Sequence, residues 1–312
     1  MAKLAKKIHK NDNTPLIYKK KKERLFTTGF VFILPAFIGF LLFMIYPLFY
    51  SLFLSFMDWN MIIPSKSTFT GLDNYIAAFH NEYFLIGVWN NIKVAVLAVP
   101  VLIVLSLLVA VLLNTEVFGT SALRTAYFLP YITTVTAAAV VFSALLHPVY
   151  GPVNMFLKSV GIENPPGWAT SSDWSLFTVA MFWIWKNMGY CIVIFLAGLQ
   201  GISKTYYEAS LIDGASKKDQ FFKITVPLIS PTTFFLFITC VIQSFQLFAE
   251  VNVLTAGGPG RSSYTTVMHI YNEGFVRFHM GYASAVSWLF FLLILLVTVI
   301  QWKYQNKWVK YV

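Results

Sequence analysis

The composition of this 312-residue chain excludes an ordinary soluble domain. Hydrophobic residues make up 57 % of it and charged residues 12 %, and its mean hydropathy is +0.66. Soluble domains carry about 25 % charged residues, so we expect an integral membrane protein. The net charge of +10 includes a lysine-rich start, but that cluster adjoins an apolar segment and has no interleaved aromatics, which argues against binding to nucleic acid.

Six apolar stretches are long enough to cross a bilayer, which takes about 20 residues of helix. They predict spans at Phe26–Met57, Asn91–Leu113, Thr125–Leu146, Ser175–Leu199, Thr232–Leu254 and Tyr282–Gln301. The first span is over-long and contains Pro35 and Pro47, so we expect it to tilt or kink. It is also too long for a cleaved signal peptide and is expected to remain as an anchor.

The positive charges predict the orientation of these spans, because lysine and arginine are retained on the cytoplasmic side. With the N-terminus inside, 17 of the 23 lysines and arginines fall in inner segments, four fall in outer loops, and Lys93 and Lys186 lie within spans. We therefore expect an all-α, polytopic membrane protein with six transmembrane helices and cytoplasmic N- and C-termini. The expected divisions are a basic tail (1–24), the first transmembrane helix and outer loop (25–88), a five-helix core (89–302) containing a cytoplasmic loop (201–230), and a second tail (303–312).

The loop between the fourth and fifth spans has strong helix signals. Asp213-Gly214 is expected to end a short helix that starts near Lys204, since glycine takes the left-handed conformation without steric cost. Ser216 is expected to cap a second helix, with Asp219 three residues on as in a capping box. Helical spacing places Phe221, Ile224 and Leu228 on one face of that helix and Lys217, Gln220 and Lys223 on the other.

The order Glu208-Ala209-Ser210, Asp213-Gly214-Ala215-Ser216, then Phe221, Ile224, Pro227 and Leu228 closely resembles the EAA loop of the membrane subunits of binding-protein-dependent ABC importers. Within these importers the likeness is to carbohydrate permeases of the maltose and glycerol-phosphate type. It extends over roughly Gly71 to Trp302 through matching flanks at 71–75, 124–130, 150–154 and 255–259. The departure is Ser210, where the family most often has alanine.

The resemblance implies that the two loop helices dock into a cleft on a separate ATPase subunit. The expected coupling residues are Glu208, Ala209, Asp213, Gly214, Ala215, Phe221 and Phe222, and Asp213 has a second interpretation as the stabiliser of its own turn. ATP and Mg would bind the partner ATPase, with no cofactor in this chain. Because the chain has no internal repeat, the expected partners are a second permease subunit, homologous or identical, two ATPase subunits, an extracytoplasmic solute-binding protein and a sugar, in the cell membrane of a bacterium or archaeon.

Polar residues within the fourth and fifth spans are candidates for a substrate pathway, because hydrogen-bonding groups beside aromatic faces suit a sugar. The candidates are Trp183, Lys186, Asn187, Tyr190, Gln243, Gln246, Phe248, Glu250 and Asn252. A lysine within a span costs about 2.5 to 3.5 kcal/mol, so Lys186 should face water, a partner or a counter-ion, and Glu250, one helical turn beyond Gln246, is a possible counter-ion. The alternative is that Lys186 and Glu250 form a purely structural ion pair while the glutamines hold helices together. Lys93 is expected to snorkel.

The sequence does not contain the residues that several other activities require. The glycine-rich run at 257–263 lacks the lysine of a phosphate-binding loop and is interpreted as an outer turn, and no G-x-x-x-x-G-K-[ST] occurs, so the chain should not hydrolyse ATP by itself. We predict no catalytic residues and no metal site, and Cys191 and Cys240 are interpreted as core filler. An ion-coupled secondary transporter and a membrane-bound enzyme remain as alternatives, and so does an importer of glycerol-phosphate, peptide or polyamine.

Overall fold

The computed structural model describes residues 30–59, 63–114 and 119–310, so the expected basic tail at 1–24 lies outside the described residues. Helices dominate the described part. They are α1 (Phe30–Leu54), α2 (Asp73–His80), α3 (Glu82–Leu113), α4 (Thr120–Ile132), α5 (Val135–Leu145), α6 (Pro152–Ser159), α7 (Ser175–Gln200), α8 (Lys204–Ile212), α9 (Lys217–Leu228), α10 (Ser230–Phe245), α11 (Ala249–Leu254), α12 (Thr266–Tyr271) and α13 (Met280–Gln305).

The expectation of an all-α chain needs one small correction. Strands β1 (Met57–Asp58) and β2 (Thr68–Phe69) form an antiparallel pair, with Met57 opposite Phe69. The side chain of Asn74, at the start of α2, donates hydrogen bonds to the carbonyls of Ser55 and Met57 at 3.0 and 2.9 Å. Asn74 therefore ties the start of α2 to the segment that leads into β1.

Four described helices, α1, α3, α7 and α13, are each long and apolar enough to cross a membrane. Two bent pairs bring the number of candidate spans to as many as six: α4 with α5, bent by 101°, and α9 with α10, bent by 62°. In α1 a π-helical turn at Leu41–Ile45 lies between Pro35 and Pro47, a feature that commonly kinks helices.

The expected third span, Thr125–Leu146, is wrong as a continuous helix. It breaks at Thr133 and Thr134, which are both extended. Pro130 lies one turn before the break and has no amide hydrogen to give to the preceding turn. Composition does not reveal this break, because threonine residues are compatible with an uninterrupted apolar helix.

The expected fifth span, Thr232–Leu254, is also divided. Helix α10 ends at Phe245, and residues 246–248 are irregular before α11 begins. The buried side chain of Asn91 holds this break: its amide donates to the Phe245 carbonyl at 2.9 Å, and its oxygen accepts from the Thr266 amide at 3.0 Å. Gln246 and Glu250 are therefore not one turn apart on a continuous helix, as the sequence had suggested.

Other boundaries shift by a turn or more. Helix α3 starts at Glu82 instead of Asn91, inside the region assigned to the outer loop, because the Asn81 side chain caps it by accepting from the Tyr83 amide at 2.9 Å. Helix α13 runs to Gln305, beyond the expected end at Gln301. The described part of the chain divides into two compact units, of which the second begins at Leu54.

Within the second unit the core is centred on α3 and α7, which pack along each other. Val99 and Leu102 of α3 and Phe182 and Phe195 of α7 are fully buried there. Helix α4 lies against α7 at Gly189, where an added Cβ would be 2.1 Å from the Tyr127 carbonyl oxygen. This close backbone contact positions the end of α4 beside the polar residues of α7.

The two cysteines are buried and not joined by a disulfide, with their Sγ atoms 3.6 Å apart. They lie on the facing sides of α7 and α10, in keeping with the expected packing role.

Candidate functional site

The end of α8 is fixed by backbone hydrogen bonds around Gly214. Gly214 has φ of +76°. Its amide donates to the Leu211 carbonyl at 3.1 Å, and the Ala215 amide donates to the Ser210 carbonyl at 2.9 Å. This is the Schellman arrangement, which ends a helix at a left-handed residue. The predicted helix end at Asp213-Gly214 is confirmed.

The start of α9 is fixed by Ser216 and Asp219, as the capping-box pattern predicted. The Ser216 hydroxyl accepts from the Asp219 amide at 3.1 Å and donates to the Asp219 carboxylate at 2.5 Å. The Lys223 ammonium lies 2.7 Å from the same carboxylate. These contacts, Lys223 first and Ser216 next, lower the pKa of Asp219 to about 2, so the carboxylate stays charged at neutral pH.

A buried amide joins the two loop helices. Gln220 is only 4 % exposed, and its amide donates to the Ser210 hydroxyl at 2.9 Å and to the Tyr207 carbonyl at 3.3 Å. The Tyr207 hydroxyl lies 3.0 Å from that of Thr225. Helical spacing groups Gln220 with Lys217 and Lys223, but those two lysines are exposed whereas the Gln220 side chain points to α8.

The outward surface of the loop carries both acidic and apolar groups. Glu208, Ala209, Asp213 and Gly214 are exposed, as is Phe222, whereas Phe221 is partly buried with its ring 5.0 Å from that of Phe222. Sequence reasoning missed three further exposed side chains: Tyr206, Leu211 and Ile212, of which Ile212 is 88 % exposed. A hydrophobic residue in the last turn of a short amphipathic helix gives no signal of its exposure.

Asp213 makes its contacts through the backbone. Its amide donates to the Ala209 carbonyl at 3.1 Å, and none of the side-chain hydrogen bonds of the described residues involves its carboxylate. The turn at Gly214 is thus held by main-chain bonds, and the Asp213 carboxylate points to solvent.

The second feature is a cavity of roughly 470 Å³ where α4 and α5 meet α7 and the break after α10. Six of the nine predicted pathway residues line it: Trp183, Lys186, Asn187, Gln243, Gln246 and Glu250. The other lining residues, Tyr131, Thr133, Thr134 and Val135, come from the break between α4 and α5. The apolar composition of that segment predicts a continuous helix, so it gives no indication that these four residues line a cavity.

Lys186 is bound by the end of α4. It is 7 % exposed, and its ammonium donates to the carbonyls of Thr133, Pro130 and Tyr131 at 2.7, 3.1 and 3.3 Å. No ion pair within 4.0 Å among the described residues joins it to Glu250, so the alternative of a direct structural ion pair between them does not fit this geometry. Lysine near a helix C-terminus satisfies orphan carbonyls and the negative end of the helix dipole.

The remaining pathway candidates do not line the cavity. Tyr190 stacks on Tyr131, one of the lining residues, with ring centroids 5.2 Å apart. Phe248 packs against Tyr271, with centroids 4.9 Å apart, and Asn252 is exposed on α11.

A larger groove of roughly 1180 Å³ runs between α3 and α7 but is lined mainly by apolar side chains. At its polar end the Arg261 guanidinium pairs with Glu82 and lies 4.1 Å from the centre of the Tyr83 ring, and Lys93 lies 5.7 Å from the centre of the Trp89 ring. The glycine-rich run before Arg261 forms a turn, with Gly257 and Gly260 both at positive φ. Small-ligand sites need convergent polar groups, which favours the cavity at Lys186 as the ligand site.

Comparison with known proteins identifies the class. A family model described as "Binding-protein-dependent transport system inner membrane component" matches residues 75–310. The chain belongs to this family and is an ABC transporter permease, a non-catalytic membrane subunit.

Relatives match over most of the chain. "Probable ABC transporter permease protein YesP" of Bacillus subtilis is 34 % identical over 289 residues, covering 91 % of this chain and 92 % of the relative. "sn-glycerol-3-phosphate transport system permease protein UgpA" of Salmonella typhimurium is 33 % identical over 249 residues, covering 79 % and 83 %. A chain of a bacterial alginate ABC transporter, solved with an alginate pentasaccharide-bound periplasmic protein, has the same fold, with a TM-score of 0.79 at 22 % identity over 94 % of this chain and 97 % of that chain.

Proposed function

We propose that this chain is the permease subunit of an ATP-driven importer that moves a sugar or oligosaccharide delivered by an extracytoplasmic binding protein. The observation that carries the proposal is the loop at α8 and α9. Its two helices are fixed to each other by Gln220 and Ser210, while Glu208, Ile212 and Phe222 point outward. A rigid element with exposed acidic and apolar side chains has the chemistry of a docking surface.

The topology in this proposal is six spans with both termini in the cytoplasm. The spans are α1, α3, the α4/α5 pair, α7, the region of α10 and α11, and α13. Charge asymmetry supports this orientation and places residues 201–230 in the cytoplasm as the coupling loop of a five-helix core at 89–302.

ATP hydrolysis belongs to separate subunits in this proposal. Two ATPase subunits bind ATP and Mg and hold the coupling loop through Glu208, Ala209, Asp213, Gly214, Ala215, Phe221 and Phe222. A second permease subunit, homologous or identical, completes the translocation path in the bacterial or archaeal cell membrane. The loop couples ATP binding to transport only if its affinity differs between the open and closed ATPase pair. Equal affinity for both states would not shift the equilibrium between them.

The cargo passes the cavity at Lys186 in the proposed alternating-access cycle. Its walls offer amide groups from Asn187, Gln243 and Gln246 beside the aromatic ring of Trp183. Amides and carboxylates pair with sugar hydroxyls, and aromatic faces cover the apolar side of a sugar ring. The volume lies within the ~300–1,000 Å³ typical of small-ligand sites.

Glycerol-phosphate is a second candidate cargo. The observation in its favour is the 33 % identity to UgpA permeases over 249 residues.

Reconstitution tests the proposal. The chain is assembled in proteoliposomes with the permease, ATPase and binding protein encoded beside it, and sugars are screened for stimulation of ATP hydrolysis. We expect one sugar with loaded binding protein to stimulate hydrolysis, and the chain alone to hydrolyse no ATP. Sugar uptake that continues in vesicles without the ATPase subunits would instead favour an ion-coupled transporter.

A further inference from the structure

We infer that the cavity at Lys186 selects an uncharged sugar and rejects sugars that carry a carboxylate or phosphate, with Glu250 as the residue that sets this preference. The inference rests on the proposed function, since it assumes that cargo passes this cavity. It distinguishes this chain from the relatives named for glycerol-phosphate and the structural neighbours named for alginate.

The lysine in the cavity is not available to bind an anion. An ammonium group has three donors and no acceptor, and Lys186 directs its hydrogen bonds at the three carbonyls of Pro130, Tyr131 and Thr133. Its charge is partly offset by the C-terminal end of α4, where the helix dipole is equivalent to about half a negative charge. An anionic cargo would have to displace at least one carbonyl and leave it unsatisfied, which is unfavourable at a buried site.

The carboxylate in the cavity is in a different position. Glu250 and Lys186 are the two charged side chains among the lining residues, and no ion pair within 4.0 Å in the described part of the chain occupies Glu250. Its carboxylate oxygens are therefore available to a ligand in the cavity. It can accept hydrogen bonds from sugar hydroxyls, whereas in its ionised form it repels a second anion.

The other polar side chains of the cavity are also suited to binding sugar hydroxyls. Gln243 and Gln246 make no side-chain hydrogen bond to the described residues. Asn187 donates one amide hydrogen to the Trp183 carbonyl at 2.9 Å and leaves its oxygen as an acceptor. Two free amides, an amide oxygen and a carboxylate pair well with groups that both donate and accept. A carboxylate or phosphate ligand needs donors alone.

The selectivity of the cavity is tested by measuring sugar binding to the detergent-purified permease–ATPase complex. The binding protein is left out, because it has its own sugar specificity. The probes are radiolabelled glucose and maltose and the uronates made by oxidising a primary hydroxyl of each. We expect at least one neutral sugar to bind tenfold or more tighter than its uronate, which corresponds to about 1.4 kcal/mol. In Glu250→Gln the ratio of neutral-sugar affinity to uronate affinity should fall towards one, because the variant no longer repels the uronate. Glu163→Gln, which removes an exposed carboxylate elsewhere, is the matched control and should leave both affinities unchanged.

Three results would overturn the inference. One is a uronate that binds as tightly as its neutral parent, and another is an unchanged ratio in Glu250→Gln. The third is absence of binding by all four probes while the complete importer still takes up a sugar, which would remove the cavity from specificity and leave the proposed function standing. Loss of ATP-driven uptake for every sugar would overturn the proposed function itself.

Discussion

The side-chain amide of Gln220, on α9, donates a 2.9 Å hydrogen bond to the hydroxyl of Ser210, on α8. Ser210 in turn donates to the Tyr207 carbonyl at 2.8 Å, so this one hydroxyl links both loop helices. Alanine, the residue that the resemblance to the EAA loop leads us to expect at this position, could not make the bond. In this chain Ser210 therefore helps to fix the angle between the two helices that are proposed to dock on the ATPase.

Removing either partner should loosen the loop. Ser210→Ala leaves the buried Gln220 amide with one fewer partner, at a cost of about 1–3 kcal/mol, and should increase hydrogen–deuterium exchange across α8 and α9. Gln220→Leu combined with Ser210→Ala should restore part of the protection, because no amide is then left unsatisfied. Additive effects of the two substitutions on exchange would contradict a direct link between the residues.

Gly214 should tolerate asparagine better than alanine. An added Cβ would have nothing within 4 Å, so the cost comes from φ of +76° alone. That cost is about 1–2 kcal/mol for most L residues and smaller for asparagine. Stimulated ATP hydrolysis by the reconstituted complex should follow the order Gly, Asn, Ala, and equal activities in all three would contradict the role of the left-handed turn.

The loop was largely predictable from sequence, because its signals are local. A glycine after a polar C-terminal residue and a serine three residues before an acidic one each specify backbone geometry directly. The inward direction of Gln220 could not be obtained in the same way. Helical spacing shows which residues share a face, and it does not show that the polar face packs against a second helix carrying Ser210.

The cavity at Lys186 was likewise only partly predictable from sequence. A lysine within a span predicted a buried polar site, and Lys186 does lie in one. Its partners were missed because they are backbone carbonyls, exposed by a break at Thr133 and Thr134 that the apolar composition concealed. Glu250, the possible counter-ion, lines the same cavity although the fifth helix breaks after Phe245, and it makes no ion pair with Lys186 within 4.0 Å in the described part of the chain.

Gly189 should not accept a larger side chain. A Cβ there would lie 2.1 Å from the Tyr127 carbonyl oxygen, so Gly189→Ala must push α4 away from α7 at a cost of about 1–3 kcal/mol. We expect a lower melting temperature of the purified protein and weaker sugar binding, because Lys186 loses its carbonyl partners. Gly39→Ala, where the added methyl has open space, is the control, and equal melting temperatures for the two variants would contradict this packing.

Ile212 should act in docking and not in folding. It is 88 % exposed, so Ile212→Asp should leave the free energy of unfolding of the isolated permease within about 0.5 kcal/mol of wild type. The same change should weaken co-purification of the ATPase subunits by removing an apolar contact. The exposed Lys218→Gln, on the other helix of the loop, serves as a control for a change of charge. Unaltered ATPase binding in Ile212→Asp would remove Ile212 from the docking surface.

Sugar uptake by proteoliposomes that contain the complete importer, with wild-type Glu208 or Glu208→Lys in this chain, tests the central claim most directly. Glu208 is exposed on α8, so its replacement should not disturb the fold of the permease. We predict ATP-dependent uptake with the wild-type chain, none without the ATPase subunits, and a loss of at least tenfold with Glu208→Lys. Uptake that continues without the ATPase subunits, or that is unchanged by Glu208→Lys, would contradict the account of this chain as a permease driven through its coupling loop.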